Sequence, residues 1–157
     1  MMNKFAIAAV AVAILTSAAA CQNDNNDVAG SRGSLAVLNV DAPSFAQSGV
    51  EFGVEISATS VGVSNVLDGR VVITFEAPLI PRSLDASAGT SASISGSSVT
   101  WDLGTLDSNT RSRLQVRTIA TLASGEASRS ARIRAELTAR GITSGEAVAT
   151  DFVTVTP

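Results

Sequence analysis

The chain has 157 residues, a formal net charge of −3 at pH 7, no histidine, no tyrosine, one tryptophan and one cysteine. A length of this order suits one domain. With histidine absent and a single thiol, the usual nucleophile–base pairs and histidine metal sites are excluded by residue type. The mild acidity argues against a nucleic-acid binder, which needs a clustered basic excess.

The first residues read Met-Met-Asn-Lys, then Phe5 to Leu15 carry no charge, and Thr16-Ser17-Ala18-Ala19-Ala20 lead to Cys21. A short basic start, an apolar run within roughly 7–15 residues and small residues before the cut are the marks of a secretory signal. A transmembrane helix needs about 20 apolar residues, more than Phe5 to Ala20 supply. Cys21 is the sole cysteine, and an unpaired thiol in an exported chain calls for an explanation.

A cysteine placed directly after those alanines resembles the lipobox of bacterial lipoproteins. The resemblance implies that residues 1–20 are a signal peptide that is removed. Cys21 then becomes the lipidated first residue, and the exported protein is held to a membrane of the cell envelope by acyl chains such as palmitate. Gln22 is not the aspartate that signals inner-membrane retention in some Gram-negative lipoproteins, which favours the outer membrane or cell surface.

Gln22 to Gly33, QNDNNDVAGSRG, is polar and glycine-bearing, so residues 21–33 are expected to form a flexible tether. Its Asp and Asn residues do not make a calcium loop. An EF-hand needs alternate ligands, a central glycine and a distal glutamate, and the stretch has Val28 at a key position and no glutamate.

From Leu35 onward the apolar pattern takes period two, the signature of strands with one buried face. Val50, Phe52, Val54, Ile56 and Ala58 alternate with Glu51, Gly53, Glu55, Ser57 and Thr59. Val71, Ile73 and Phe75 form a second inward set, Leu114, Val116, Thr118, Ala120 and Leu122 a third, and Ile133, Ala135 and Leu137 a fourth. Strands near Leu35 to Val40 and Ala147 to Val155 have ambiguous facing, because both alternate sets are partly apolar. A weak strand at Ala92 to Ser95 turns at Gly96 into another at Val99 to Leu103. Asp68-Gly69, Pro78, Pro81, Ser124-Gly125, Gly141 and Ser144-Gly145 read as turns. The spacing predicts an all-β sandwich or barrel, and no stretch carries a helical period.

SVTWDLGTL, Ser98 to Leu106, resembles the central motif of a bacterial surface repeat known as domain of unknown function eleven, an Ig-like module of surface and adhesion proteins. Three further stretches match in the same order: VEFGVEISATSVG (Val50 to Gly62), PLIPRSLDAS (Pro78 to Ser87), which falls at the repeat's bend, and SRLQVRTIATL (Ser112 to Leu122). Where the repeat has Pro-Gly after Gly-Thr-Leu, this chain has Ser108-Asn109, and asparagine tolerates the left-handed backbone a glycine would supply. Arg82-Ser83 replaces Ala-Gly. The resemblance implies an Ig-like antiparallel β-sandwich of about seven to eight strands over residues 34–157.

Trp101 shares parity with Val99 and Leu103, so it is expected in the core, as are Phe52 and Phe75. Phe45 and Phe152 have no assigned face, and stacking surfaces for sugars or single-stranded nucleic acid are scarce. Glu51, Glu55, Glu76 and Asp102 face outward, where carboxylates are ordinarily solvated surface rather than the pair glycoside hydrolysis requires. No phosphate-cradling glycine loop occurs. The expectation is therefore no enzyme, no metal, no cofactor and no nucleic acid.

Two functional readings stay open. One is a lipid-anchored structural or protein-interaction module of the adhesion type. The other is a small-ligand or glycan-binding lipoprotein of the envelope. Arg113, Arg117, Arg132, Arg134 and Arg140 share outward parity on the two late strands. If those strands form a hairpin near Gly125, the arginines stand side by side as a docking surface for an acidic protein or anionic envelope polymer. The alternative is a solvated face on which they pair with Glu136, Gln115 or acids of a neighbouring strand.

Overall fold

The computed structural model describes residues 28–29 and 35–157; the expected signal peptide, Cys21 and most of the expected tether lie outside them. Among the described residues eleven strands form two sheets. The five-stranded sheet runs β1 (Val28–Ala29), β2 (Ala36–Asp41), β4 (Glu51–Ser60), β9 (Arg111–Ala120), β6 (Leu79–Ala86). The six-stranded sheet runs β3 (Phe45–Gln47), β11 (Ile142–Thr156), β10 (Arg129–Ala139), β5 (Val66–Phe75), β8 (Ser98–Leu106), β7 (Ser91–Ser95). Val28 and Ala29, inside the stretch expected as tether, pair with Val37 and Ala36.

The period-two sets land on the inner faces. Val54, Ile56, Leu114 and Val116 meet Val71, Ile73, Trp101, Ile133 and Leu137 across the sandwich, all fully buried. Trp101 donates Nε1–H to Thr90 Oγ1 at 3.0 Å, and Thr90 Oγ1–H in turn donates to the Ser87 carbonyl at 2.8 Å. The largest core side chain thus anchors the crossing from β6 to β7. On the opposite flank Asp151 interrupts the apolar row of β11, accepting from Ala42 N–H at 2.9 Å and Phe152 N–H at 2.8 Å, and so fixes the crossing from β2 to β3.

Several expectations are corrected. The strands among the described residues number eleven, and one pair is parallel: β3 against β11, with Phe45 opposite Thr154. The Pro78–Ser87 bend is largely a strand, β6, hidden from the pattern by a register shift between Pro81 and Ser83. A proline is tolerated there because β6 is an edge. Asp68-Gly69 is a bulge within β5 rather than a turn, with Asp68 at φ 55°. A Cβ on Gly69 would stand 3.2 Å from Leu103 Cβ, so a side chain there would require Leu103 to give way by a few tenths of an ångström. Ser144-Gly145 lies inside β11, past the turn at Gly141. Val50 precedes β4 and is exposed rather than buried. Asn109 does adopt the left-handed conformation, at φ 58°.

The late strands do not form a hairpin. β9 is flanked on both sides by β4 and β6, and β10 by β5 and β11, so residues 121–128 cross from one sheet to the other.

Two substitutions test this packing. Ile133→Asp places an unpaired charge at a fully buried site and should abolish cooperative folding. Thr118 is also fully buried, yet its hydroxyl has no hydrogen-bond partner among the described residues. Thr118→Val should therefore raise stability by about 1 kcal/mol, read from the midpoint of denaturant unfolding.

Candidate interaction surfaces

The alternation that fills the core also sets the outer faces. Arg113 and Arg117 stand on the outside of the five-stranded sheet, and Arg132 and Arg134 on the outside of the six-stranded sheet, with Arg140 in the turn beyond β10. The expected single arginine surface is thus divided between opposite sides of the sandwich. The cause is the sheet-to-sheet crossing after β9, which period-two parity does not register.

Most of these guanidinium groups are paired with carboxylates. Glu55 accepts from Arg111 Nη2 at 3.1 Å and Gln115 Nε2 at 3.1 Å, with Arg113 Nε at 3.7 Å. Arg111 also donates to Ser57 Oγ at 2.9 Å. On the other sheet Arg134 meets Glu136 at 2.7 Å, Arg140 meets Asp68 at 2.8 Å, Arg70 meets Asp102 at 2.6 Å and Arg132 lies 3.8 Å from Glu76. The Glu136 carboxylate also accepts from Gly145 N–H at 2.8 Å. The arrangement is the solvated, internally paired face. Arg117, between Gly53 and Ser83 in the ladder, has no ion pair among the described residues.

A shallow hollow at the β5 bulge is lined by Asp68, Gly69, Arg70, Asp102, Gly104 and Thr138. Its two carboxylates are the ones already bonded to arginines. Among the described residues no group of three or more acidic or thiol side chains converges as a metal site would require.

The feature that parity left unread is aromatic. Phe45 is 71% exposed and Phe152 56% exposed, although each belongs to a strand. Ala46 and Val155 pair and both point inward, so Phe45 and Thr154 point outward, and Phe152 stands two residues before Thr154 on that same face. Arg132 is opposite Phe152 across the β10–β11 ladder. Two phenylalanines and an arginine therefore gather at the β3 side of the six-stranded sheet. The signal was present in sequence as two phenylalanines without a facing, but their meeting depends on the parallel β3–β11 pair, which three residues of sequence do not announce.

The two sheets define an Ig-like β-sandwich, and solved structures bear this out. The CARDB domain of a Pyrococcus furiosus protein, in complex with di-metal ions, superposes with a TM-score of 0.53 at 14% identity, covering 84% of this chain and 90% of that one. A cohesin module from a Clostridium perfringens family 33 glycoside hydrolase gives 0.54 at 12% identity, covering 78% and 98%. The major pilin subunit of Bacillus cereus gives 0.54 at 14% identity, covering 78% of this chain and 40% of that one. Identities this low carry the fold alone. No family model matches the chain, and no curated protein matches it.

The Glu55 cluster yields a test. Its partners are well exposed, with Arg111 and Arg113 side chains at 42% and 60%. Glu55→Gln should lower stability by less than about 1 kcal/mol, and the difference should shrink in 1 M salt, measured by urea melts at two ionic strengths.

Proposed function

We propose that this protein is a lipid-anchored envelope lipoprotein whose Ig-like domain serves as a protein-interaction module of the adhesion type, resembling the domain-of-unknown-function-eleven surface repeat. The observation that carries the interaction reading is the exposed pair Phe45 and Phe152 beside Arg132. Contiguous exposed apolar surface marks contact sites, and aromatic and arginine side chains dominate binding energy at protein interfaces. Similar sandwiches occur as a cohesin module and as a major pilin subunit, which supports the reading at the level of fold. A fold does not by itself exclude catalysis; what speaks against it here is a residue inventory without histidine and the commitment of Glu55, Asp68, Asp102 and Glu136 to arginines.

Anchoring rests on the residues before the domain. The acyl chains on Cys21 would tie the domain to the outer membrane or cell surface. Each buried methylene contributes about 0.8 kcal/mol, so two or more chains give stable attachment. In cell fractionation, Cys21→Ser should leave the membrane pellet while wild type stays. A variant retained as fully as wild type would remove the lipoprotein reading.

The glycan-binding alternative shares the same aromatic pair, because phenyl faces also stack on sugars. The double variant Phe45→Ala, Phe152→Ser should melt within about 0.5 kcal/mol of wild type, since both side chains are exposed surface. Pull-downs from envelope extracts with the two proteins should then differ, with partner recovery lost in the variant. Equal recovery overturns the aromatic surface as the binding site. A thermal shift with glycans in wild type that vanishes in the variant would favour the alternative.

A further inference from the structure

We propose that β7 is a dimerisation edge: a second copy of this chain adds its own β7 antiparallel to it, about a twofold axis through Ser93, so that two six-stranded sheets become one.

The sheets end in four edge strands, and three of them are poor templates for a further strand. Among the described residues β1 has two residues and β3 has three. β6 carries Pro81, the exposed Arg82 and a register shift. Short length, proline, charge and bulges are the devices that blunt an edge. β7 has none of them. It reads Ser91-Ala92-Ser93-Ile94-Ser95, without charge or proline, in unbroken register with β8 from Ser91↔Asp102 to Ser95↔Ser98.

The turn that joins β7 to β8 settles which backbone groups are free. Gly96 at φ 60° is the first residue of a two-residue turn, so the flanking pair Ser95 and Ser98 exchanges both hydrogen bonds. Hydrogen-bonded and non-bonded pairs alternate along an antiparallel ladder. Ser93 and Ser91 therefore also bond to β8, while the N–H and C=O of Ala92 and Ile94 point away from it, toward the open edge.

The strand complements itself. Full antiparallel overlap sets Ala92 of one copy against Ile94 of the other, each pair exchanging two backbone bonds. Ser91 then meets Ser95, and Ser93 meets Ser93. Serines share the outer face, where cross-strand hydroxyls can bond to one another. Ala92 and Ile94 share the inner face, as their partners Trp101 and Val99 do, yet Ile94 is 37% exposed because its flank is uncovered. A second copy covers it with like residues.

Charge on the same flank agrees. β6 reaches β7 through residues 87–90, and it presents Arg82 and Asp85, both exposed and neither in an ion pair among the described residues. They lie on β6 at opposite sides of Leu84. A twofold reverses strand direction, so Arg82 of one copy approaches Asp85 of the other and like charges are kept apart.

The experiment adds one cysteine at a time to the full chain, which already carries Cys21. Non-bonded pairs in an antiparallel ladder have Cα atoms about 4.5 Å apart, within the range a disulfide spans. Under mild oxidation Ser93→Cys should run mostly as a disulfide-linked dimer. Ser91→Cys and Ser95→Cys should each stay at the level of wild type, whose Cys21 provides the background. An equimolar mixture of those two should cross-link as Ser93→Cys does. As a check independent of cysteine, Arg82→Asp should lower the dimer fraction in sedimentation, and adding Asp85→Arg should restore it. No cross-link at Ser93, equal cross-linking at all three positions, or capture of a different protein by Ser93→Cys would overturn the proposal.

Discussion

The domain depends on closing two half-apolar sheets over each other with no covalent tie, since the chain's one cysteine has no partner within it. Burial supplies the driving force, at roughly 25 cal/mol per Å² of apolar surface. It does not say how the chain is to pass from one sheet to the other. Every such crossing takes backbone out of a ladder, and its polar groups need partners. Side chains provide them. Ser87 Oγ accepts from Arg113 N–H at 2.8 Å while Ser87 N–H donates to the Arg113 carbonyl at 2.9 Å, binding the exit of β6 to β9. Thr90 then links that crossing to Trp101 in the core. Ser48 Oγ accepts from Leu122 N–H at 3.0 Å at the exit of β9.

This division explains what the sequence discloses. Inner faces follow from alternation alone, because a residue's parity is fixed by its neighbours: Val54, Ile56, Leu114, Val116, Ile133 and Leu137 all lie where period two places them. Sheet membership is a different kind of fact. Leu114 to Ala120 and Ala131 to Leu137 carry the same pattern whether they pair with each other or face each other across the core. The choice is made by which strands flank them, and that information sits in residues far along the chain. β6 escaped for a second reason: its alternation shifts phase at the bulge, so Leu79 and Pro81 are buried while the register of the rest moves on by one. β11 has ambiguous facing because both of its alternate sets are partly apolar, and Asp151 interrupts the inward one for a reason that only the Ala42 backbone reveals.

The outer faces obey the same geometry with a different result. Once parity fixes which side chains face water, strand pairing decides which charges become neighbours. Glu55 faces Gln115 across the ladder and gathers two arginines from β9, and Arg70 stands opposite Asp102. Opposed charges of unlike sign are favourable and like ones are not, so a ladder that places arginines on one strand selects acids on the next. Counting along one strand groups the arginines but does not register the acids on the strand beside them. Their pairing accounts for most of the arginines that strand parity had grouped together, and the uncharged features of the surface remain.

Two of those features, the aromatic pair and the uncharged edge strand, fall at the two ends of one sheet. In the six-stranded order the aromatic pair belongs to the β3 and β11 side and the unguarded strand β7 is the opposite edge, four strands from β11. A strand added at β7 would extend the sheet away from Phe45 and Phe152 and leave both uncovered. Self-pairing and partner binding would then be compatible by construction, and a twofold assembly would present two aromatic surfaces at its far ends. Linking two binding sites in one body raises avidity when a partner array can meet both at once, without any new contact at either site. Such an assembly would make one modest aromatic patch bivalent.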